Sequence, residues 1–452
     1  MNRQGPDDRE ELFVVPEDAD TCYLYAPLRR MVVSMNRAAV GSVSRYLNPS
    51  DSPLTPEDAG VISSLRSAGL FSEPFPTPPV TPDDYLFRPH EVTLFPTTRC
   101  NLRCRYCYAS AGTRQVDMPW EIARAAIDLV IENARAVGRD DFIVGFHGGG
   151  EPTVHWKLVQ QATLYARQRA RDANLHGIIH CASNGVLSPS QRAFVAGNFT
   201  GMTISLDGPP DIQDRQRPLA SGKGSSAHVM QTLHDFQEKK FPFGIRVTLT
   251  ADQGHRLDDI VRFIHQQCPQ LDQVHVEPVW QCGRCQTTGE RPPSQAQFIA
   301  LFAEACALAQ DLGFSLFYSG ARLDVLTNKF CAAPGDGFSV TPEGLISSCF
   351  EVADPADPRA ELFHYGRYDR IRREFTIDLE RVDRLRRLRV ENIRHCRDCF
   401  CKWHCAGDCL AKALPGKTPD DHQGSPRCNL NREITRQQIR RLADQASTAA
   451  KQ

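Results

Sequence analysis

Three cysteines lie close together in the segment Cys100-Asn-Leu-Arg-Cys104-Arg-Tyr-Cys107, with three residues in the first gap and two in the second. A loop this short can place three thiolates around one [4Fe-4S] cube and leave its fourth iron without a protein ligand. An iron that is open in this way is a position for chemistry. A zinc knuckle is the alternative, but a zinc site closes with four ligands, and no further Cys or His follows nearby to complete one.

The C-terminal region contains a second group of seven cysteines. These are Cys331, Cys349, Cys396, Cys399, Cys405, Cys409 and Cys428. The chain has 17 cysteines in all. Because a reducing compartment keeps thiols free, clustered cysteines there favour metal or redox sites over disulfides. One or two structural zinc sites are the alternative for this group, since zinc accepts the same thiolates.

Composition excludes several classes of protein. The 452 residues are enough for two or three domains, and 53 Lys and Arg nearly balance 54 Asp and Glu. This balance gives no support for a nucleic-acid partner. No run of about 18 apolar residues occurs, and the polar N-terminus lacks the order of a secretory signal. We therefore expect a cytoplasmic protein with no membrane partner.

Six apolar runs favour strands, and helical patterns follow all of them. The runs cover residues 92–97, 142–147, 178–182, 202–206, 245–250 and 274–278. The helical patterns include residues 120–137 and 295–312. Six successive strand-helix units predict an α/β fold with a parallel sheet, either doubly wound or a partial barrel. Chemistry in such folds gathers at the carboxyl ends of the strands.

Five regions follow from changes in the pattern. We predict a small α/β or winged-helix-like unit over 1–75 and a Pro-rich linker over 76–89. The strand-helix series occupies 90–313, a cysteine-rich region covers 314–430, and a helical tail covers 431–452.

Two features stand out within the cysteine-rich region. Residues 338–349 predict a hairpin that turns at Pro342, Glu343 and Gly344. The Arg-rich stretch 367–397 favours a solvated amphipathic helix, with a site for an acidic partner as the alternative.

Polar segments follow strands two, three and four of the series. They are Gly148-Gly149-Gly150-Glu151-Pro152, Ser183-Asn184-Gly185 and Ser205-Leu206-Asp207-Gly208. Glycines let a backbone approach a ligand closely, and a carboxylate can pair with an ammonium group. Each segment alone is weak evidence, but their order behind the cysteine loop (residues 100–107) is specific.

The cysteine loop followed by these segments resembles the radical S-adenosylmethionine (SAM) superfamily. The resemblance implies a partial (β/α)6 TIM-like barrel in which Cys100, Cys104 and Cys107 hold a [4Fe-4S] cluster that binds SAM. It further implies a set of SAM contacts: the methionine ammonium at Gly149, Gly150 and Glu151, the ribose and carboxylate at Ser183, Ser205, Asp207 and Arg217, and adenine at Tyr106.

The second cysteine group resembles the SPASM domain, the auxiliary-cluster extension of radical SAM enzymes that modify peptides. The resemblance implies two further [4Fe-4S] clusters. The outer cysteines, Cys396, Cys399, Cys405 and Cys428, would hold the distal cluster, and the inner cysteines, Cys331, Cys349 and Cys409, would hold the cluster nearer the barrel. The inner set is one ligand short. Either Cys282, Cys285, Cys306 or Cys401 completes it, or an open iron there binds a substrate thiolate.

Relatives that form formylglycine carry an aspartate base directly after the second cysteine of this domain. Here Phe350 and then Glu351 follow Cys349. Phenylalanine cannot take a proton, and one residue along a strand normally reverses the side-chain face. The catalytic base therefore stays unassigned, and crosslinking of a ribosomal peptide, through a thioether or a C–C bond, is favoured over formylglycine formation or backbone excision.

The resemblance to this family of peptide maturases, which includes anaerobic sulfatase-maturating and thioether-forming enzymes, also implies partners. These are a precursor peptide, whose leader the N-terminal unit would recognise, and an electron donor of the flavodoxin or ferredoxin type. The alternative from a different class is a non-catalytic, metal-stabilised peptide-binding protein, which would not need an open-iron triplet.

Four other residues are candidates outside these motifs. Cys282 and Cys285 follow the sixth strand and are either cluster ligands, a redox pair or incidental thiols. His147 either reaches the cofactor or packs. Glu277 ends the sixth strand at the same edge of the sheet and is a candidate site residue.

Overall fold

The computed structural model describes residues 11–48, 53–74, 76–80, 86–413 and 422–449. The strands are β1 (Phe13–Pro16), β2 (Thr21–Ala26), β3 (Met31–Asn36), β4 (Glu91–Leu94), β5 (Asp141–Phe146), β6 (His176–Ser183), β7 (Gly201–Ser205), β8 (Phe243–Leu249), β9 (Gln273–Pro278), β10 (Ser315–Phe317), β11 (Ser339–Val340), β12 (Leu345–Ser347), β13 (His364–Asp369) and β14 (Glu374–Ile377). The helices are α1 (Arg37–Leu47), α2 (Pro56–Ser67), α3 (Trp120–Ala136), α4 (Trp156–Ala173), α5 (Pro189–Asn198), α6 (Pro210–Gln216), α7 (Ser226–Glu238), α8 (Ala251–Gly254), α9 (Leu257–Gln267), α10 (Cys285–Thr288), α11 (Gln295–Asp311), α12 (Ala360–Phe363), α13 (Leu379–Arg386), α14 (Lys402–Cys405), α15 (Leu410–Ala413) and α16 (Cys428–Ala449).

The parallel sheet of the core contains all six predicted strands, which are β4 to β9. They are hydrogen-bonded side by side in sequence order, each parallel to the next. β10 adds a seventh parallel strand beside β9, just past the predicted end of the series. With three residues it is too short to give a strand pattern in the sequence.

The core forms because strands buried on both faces pack against amphipathic helices. In β4 and β5, Val92, Leu94 and Val144 are fully buried. α3 presents a buried apolar row that includes Ile127 and Val130. Because β4 to β9 run parallel to one another, the loops that follow them are brought to one edge of the sheet.

The predicted hairpin over 338–349 is confirmed as β11 and β12, which pair antiparallel. It is not a separate layer, because β11 pairs in parallel with β4 and continues the core sheet through β12, β13 and β14. The predicted helix over 367–397 is wrong at its start. The Asp369 carboxylate accepts hydrogen bonds from the backbone of Ile371 and Arg372, which fixes a turn between β13 and β14, and only α13 is helical.

The N-terminal unit consists of an antiparallel sheet, β1-β2-β3, followed by α1 and α2. The side chains of Tyr23 and Tyr25 in β2 form one apolar cluster with Ile439 and Ala443 of α16. The predicted helical tail therefore begins earlier, at Cys428, and its helix packs on the N-terminal sheet. The predicted linker over 76–89 lies partly outside the described residues. None of the helices described is both long and apolar enough to cross a bilayer.

Candidate functional site

The cysteine loop follows the carboxyl end of β4 and is hydrogen-bonded to the C-terminal end of α6 and the residues just after it. The backbone N–H groups of Arg103 and Arg105 donate to the carbonyls of Pro218 and Gln216, at 2.8 and 2.9 Å. Two thiols accept backbone hydrogen bonds, Cys100 from Leu102 and Cys107 from Ala111, both at 3.4 Å. These hydrogen bonds fix the backbone of the loop.

The electrostatics of the loop suit metal binding. Burial raises the pKa of Cys100 to about 12 and that of Cys104 to about 11, while Arg217 acts against this rise at Cys104. Buried thiols become thiolates when a cation replaces their protons. Three soft sulfur donors on one short loop are a set that an iron-sulfur cluster with one open iron would fit.

The glycine segment after β5 packs directly against the base of the cysteine loop. The Glu151 N–H donates to the Arg99 carbonyl at 2.9 Å. A side chain at Gly150 would lie 2.3 Å from that same carbonyl oxygen, whereas a side chain at Gly149 would meet nothing within 4 Å. Gly150 therefore permits the close contact, and Gly149 leaves space on the other side.

This difference predicts that Gly150→Ala lowers stability by about 1–3 kcal/mol, because the added methyl group overlaps backbone that cannot move aside. Thermal unfolding followed by circular dichroism measures the effect, and Gly149→Ala, with its open surroundings, is the matched control. Equal melting temperatures for the two variants would contradict the assigned packing.

Glu151 lies fully inside the site. Its Oε1 accepts hydrogen bonds from the Thr153 and Ser183 hydroxyls, at 2.8 and 2.9 Å, and its Oε2 accepts one from the Asn184 N–H at 2.8 Å. Burial raises the pKa of Glu151, and these hydrogen bonds oppose the rise. A buried carboxylate held in this way is suited to pair with a ligand ammonium.

Tyr106, Arg217 and Asp207 form a buried network beside the cysteine loop. The Arg217 guanidinium donates to the Tyr106 hydroxyl at 2.7 Å, and that hydroxyl donates to the Asp207 carboxylate. Asp207 also accepts from the Thr248 N–H at 3.1 Å. Ser205, the last residue of β7, is half-buried next to this network. The structure thus brings together residues that were predicted from three separate segments.

Residues Cys282 to Cys285 form a turn that is hydrogen-bonded to the backbone of the cysteine loop and of Ala111. The Arg284 guanidinium donates to the carbonyls of Cys104 and Ala111, both at 2.7 Å, and the Arg284 N–H donates to the Cys107 carbonyl at 2.9 Å. A side chain at Gly283 would lie 2.2 Å from the Tyr108 carbonyl oxygen. Sequence reasoning weighed the two cysteines and missed Arg284, which stands between them.

A cavity of about 560 Å³, called here the central cavity, is bordered by the residues that directly follow the cysteine loop. Its walls include Gly149 and Tyr108 on the barrel side, Cys282 after β9, and Phe350 and Glu351 on the cysteine-rich side. The cavity therefore lies between the residues that follow Cys107 and the loop that follows Cys349. Its volume is in the range of small-molecule and cofactor sites.

The His147 side chain packs against an aromatic ring and does not line the central cavity. Its ring stacks on Phe350, with 4.8 Å between ring centres, and its Nδ1 accepts from the Gly148 N–H at 2.7 Å. Burial lowers the pKa of His147 to about 4, so the ring is neutral at pH 7. The aromatic contact also fixes Phe350 beside the end of β5.

The inner cysteines are drawn from three separate loops. Burial raises the pKa of Cys409 to about 12, and Glu351 and Cys331 add to the rise. The pKa of Cys349 is raised by burial and then by Cys409, Glu351 and Cys331. Cys331 and Glu351 contribute to the rise at both thiols, so these four groups lie in one neighbourhood.

The outer cysteines line a second, smaller hollow together with Cys401. Asn431 of α16 donates to the Cys405 sulfur at 3.2 Å, and the Ser425 N–H donates to the Cys428 sulfur at 3.1 Å. The hollow therefore has more sulfur atoms than one cluster needs. Across the described residues, no three Cys, His, Asp or Glu side chains are arranged to hold a single metal ion.

Glu277 does not face the central cavity. Its Oε2 accepts from Arg427 at 3.2 Å, and its Oε1 accepts from the Ser319 N–H at 2.9 Å. Arg427 also donates to the Asp408 carboxylate, with 3.1 Å from its Nε. That Glu277 is a site residue stays a prediction, and in the structure its carboxylate joins the end of β9 to the cysteine-rich region.

Residues 94–265 match the Radical SAM superfamily. The mycofactocin maturase of Mycobacterium ulcerans is 28% identical over 278 residues, which are 57% of this chain and 68% of that protein. An uncharacterized protein of Methanocaldococcus jannaschii is 28% identical over 169 residues, 37% of this chain and 56% of its own length. The chain spans about half the length of the curated relatives it matches first.

Two solved structures show the same fold at low identity. Native anSMEcpe with bound AdoMet aligns with a TM-score of 0.62 and 15% identity over 79% of this chain and 99% of that one. Streptococcus suis SuiB bound to the precursor peptide SuiA aligns with a TM-score of 0.52 and 13% identity over 90% of this chain and 96% of that one.

Proposed function

Because residues 94–265 are a radical SAM domain, we propose that this protein is an enzyme that uses SAM and three [4Fe-4S] clusters to crosslink a ribosomally synthesised peptide. The first cluster would be held by Cys100, Cys104 and Cys107. The two auxiliary clusters would be held by the inner and the outer cysteines. The observation that carries the proposal is that the residues directly after Cys107 and the residues directly after Cys349 border one central cavity.

A reduced cluster with SAM bound at this loop would supply the chemistry of hydrogen-atom abstraction from a substrate carbon. The chain's own residues bind and orient SAM. Glu151 would pair with the methionine ammonium, and Arg217 with the methionine carboxylate. Ser183 and Ser205 would contact the ribose, and Tyr106 would pack against adenine.

Arg217 has a further role in this account. Its buried charge lies beside Cys104, where it favours the thiolate, and its hydrogen bond to Tyr106 at 2.7 Å fixes the aromatic ring. Arg217 and Asp207 are both buried. Preorganised charges in a dry site are worth more than the same charges in water.

Crosslinking is preferred over formylglycine formation because of Phe350. This side chain stands directly after Cys349, stacks on His147 and has no group that accepts a proton. Glu351 also lines the cavity, and its Oε1 lies 3.3 Å from the Lys412 ammonium. Neither side chain is placed as a free base at the mouth of the barrel.

The peptide partner is proposed from the relatives and from the N-terminal unit. The SuiB structure that aligns with this chain contains a precursor peptide. In this chain, β3 ends the small antiparallel sheet, and an exposed sheet edge can accept a peptide as an added strand. The unit shares an apolar cluster with α16, so its binding must be tested in the full chain. A flavodoxin or ferredoxin would supply electrons.

Iron and sulfide analysis after anaerobic reconstitution tests the cofactor set. We expect about twelve irons and as many sulfides per chain, because each of three [4Fe-4S] clusters contributes four of each. Substituting Cys104 and Cys107 together with alanine should remove about four irons and leave the rest. Zinc in place of iron, or a content of about four irons in the wild type, would contradict the proposal.

A further inference from the structure

The connection between β13 and β14 carries a cluster of exposed arginines, called here the arginine tip (residues 367–373). The exposed arginines are Arg367, Arg370, Arg372 and Arg373. Arg381 of α13 pairs with Asp378 at 3.3 Å, whereas no carboxylate among the described residues pairs with these four guanidinium groups. The tip is therefore a local positive surface on a chain whose net charge is −1.

The turn at the tip is held by its own hydrogen bonds. The Asp369 carboxylate accepts from the N–H groups of Ile371 and Arg372, at 2.8 and 3.1 Å, and the Arg373 N–H donates to the Asp369 carbonyl at 2.8 Å. This backbone leaves the Ile371 side chain 94% exposed, more than any other large apolar side chain described. A turn that is already ordered, with arginines around an apolar residue, is suited to contact a partner, because little order has to be gained on binding.

The tip lies at the edge of the sheet that carries the central cavity. β11 runs parallel to β4, so the turn from β11 to β12 lies at the carboxyl end of β4. β13 runs antiparallel to β12 and ends beside that turn, where the Tyr368 N–H donates to the Gly344 carbonyl at 2.7 Å. Pro342 and Glu343 of the same turn line the central cavity. The arginine tip therefore adjoins a wall of the cavity.

The carboxylates nearest to the tip are already used within the fold. Glu343 and Asp354, which line the cavity, both pair with the Arg114 guanidinium, at 2.6 and 3.1 Å. Asp369 accepts the hydrogen bonds of the turn. Guanidinium groups bind carboxylates through two parallel hydrogen bonds. The ligand that fits the tip is therefore one that brings carboxylates of its own.

We propose that the arginine tip binds an acidic segment of the substrate peptide and so brings the residues next to that segment to the central cavity. The proposal rests on the function proposed above and deepens it, because it names the class of sequence that the enzyme selects. A peptide substrate is favoured over an acidic partner protein because the tip adjoins the cavity that the substrate has to enter.

Binding is tested with the reconstituted full chain and a fluorescein-labelled peptide of six Glu-Gly repeats. We expect saturable binding by fluorescence anisotropy, weakened by added salt, and no binding of a peptide of six Gln-Gly repeats. Changing Arg370 and Arg372 together to serine should weaken binding by about fivefold or more. Changing both to lysine should retain most of the binding, because the positive charge is kept.

The matched control changes Arg384 and Arg387 together to serine. These two arginines are also exposed, but they lie in and just after α13, which follows the other end of β14. The control should bind the Glu-Gly peptide as the wild type does. Equal binding by the tip variant and the control variant would overturn the proposal.

A second probe tests where the bound peptide lies. It carries a benzophenone side chain four residues beyond its last glutamate, which is about 13 Å in an extended chain. We expect light to crosslink this group to the walls of the cavity, in residues 108–114, 342–343 or 350–359, and the tip variant to lose these crosslinks. Crosslinks that fall only outside these residues would overturn the proposal.

An acidic electron carrier is distinguished by the source of electrons. Formation of 5′-deoxyadenosine is compared with flavodoxin and with dithionite as the reductant, and we expect the tip variant to match the wild type with both. A tip variant that is slow only with flavodoxin and binds the Glu-Gly peptide normally would assign the tip to the electron carrier and overturn the proposal. The peptide assays do not depend on SAM cleavage, so a wild type that cleaves no SAM would overturn the proposed function without altering their result.

Discussion

Replacing Arg427 with methionine should destabilise the protein by about 3–5 kcal/mol, because it leaves two buried carboxylates without their common partner. Arg427 is 5% exposed, and Glu277 and Asp408 are 6% and 1% exposed. The three groups join the end of β9 to the residues that directly precede Cys409 and Cys428. Loss of the cation should therefore also loosen the auxiliary cluster region.

Thermal unfolding of the reconstituted protein measures this effect, together with the iron content after purification. The matched control is Arg139→Ala, which removes an exposed ion pair to Asp141 of similar length, 2.7 Å. Exposed pairs contribute about 0–1 kcal/mol, so the control should be close to the wild type. If both variants unfold at the same temperature, the buried network is not what joins the two regions.

Replacing Arg284 with alanine should remove the first cluster selectively. The variant loses both guanidinium hydrogen bonds to the cysteine loop, to the carbonyls of Cys104 and Ala111. It also loses a positive charge that favours the Cys104 thiolate. Hydrogen bonds from a charged donor are worth roughly 1.5–3 kcal/mol each, so cluster loading at this loop should fall at least tenfold.

The measurement is iron content and SAM cleavage in the same preparation. We expect a loss of about four irons per chain, with the auxiliary clusters retained. Thr287→Ala is the control, since the Thr287 hydroxyl donates to the Arg284 carbonyl within the same turn rather than to the cysteine loop. Arg284→Lys should be intermediate, because a lysine can reach only one of the two carbonyls. Unchanged loading in Arg284→Ala would show that the cysteine loop holds its shape without this turn.

The parallel core could be predicted because its signal is local. Each strand from β4 to β9 is a buried apolar run followed by a helix, and that pattern is visible in any window of about 20 residues. The polar segments that end these strands are equally local. Their meeting at one edge, seen in the contact of Glu151 with Ser183 and of Tyr106 with Asp207, follows from parallel topology alone.

The parts that were missed depend on contacts between distant segments. Arg427 and Glu277 are 150 residues apart, and neither belongs to a motif. Arg284 was overlooked because its partners are backbone carbonyls. Every residue has such a carbonyl, so the sequence does not indicate which ones accept a hydrogen bond. The Arg-rich stretch 367–397 was predicted as a helix because its charges mask the alternation in β14, where Phe375 and Ile377 are half-buried and their neighbours are exposed.

The most direct test of the central claim is reductive cleavage of SAM. The reconstituted wild type, Cys104→Ala and a control with the buried thiol Cys268 changed to alanine are each reduced anaerobically with SAM present, and 5′-deoxyadenosine is measured by mass spectrometry. We expect 5′-deoxyadenosine from the wild type and from Cys268→Ala and none from Cys104→Ala. Equal amounts from the wild type and Cys104→Ala, or none from a wild type with full iron loading, would contradict the claim that the cysteine loop carries radical SAM chemistry.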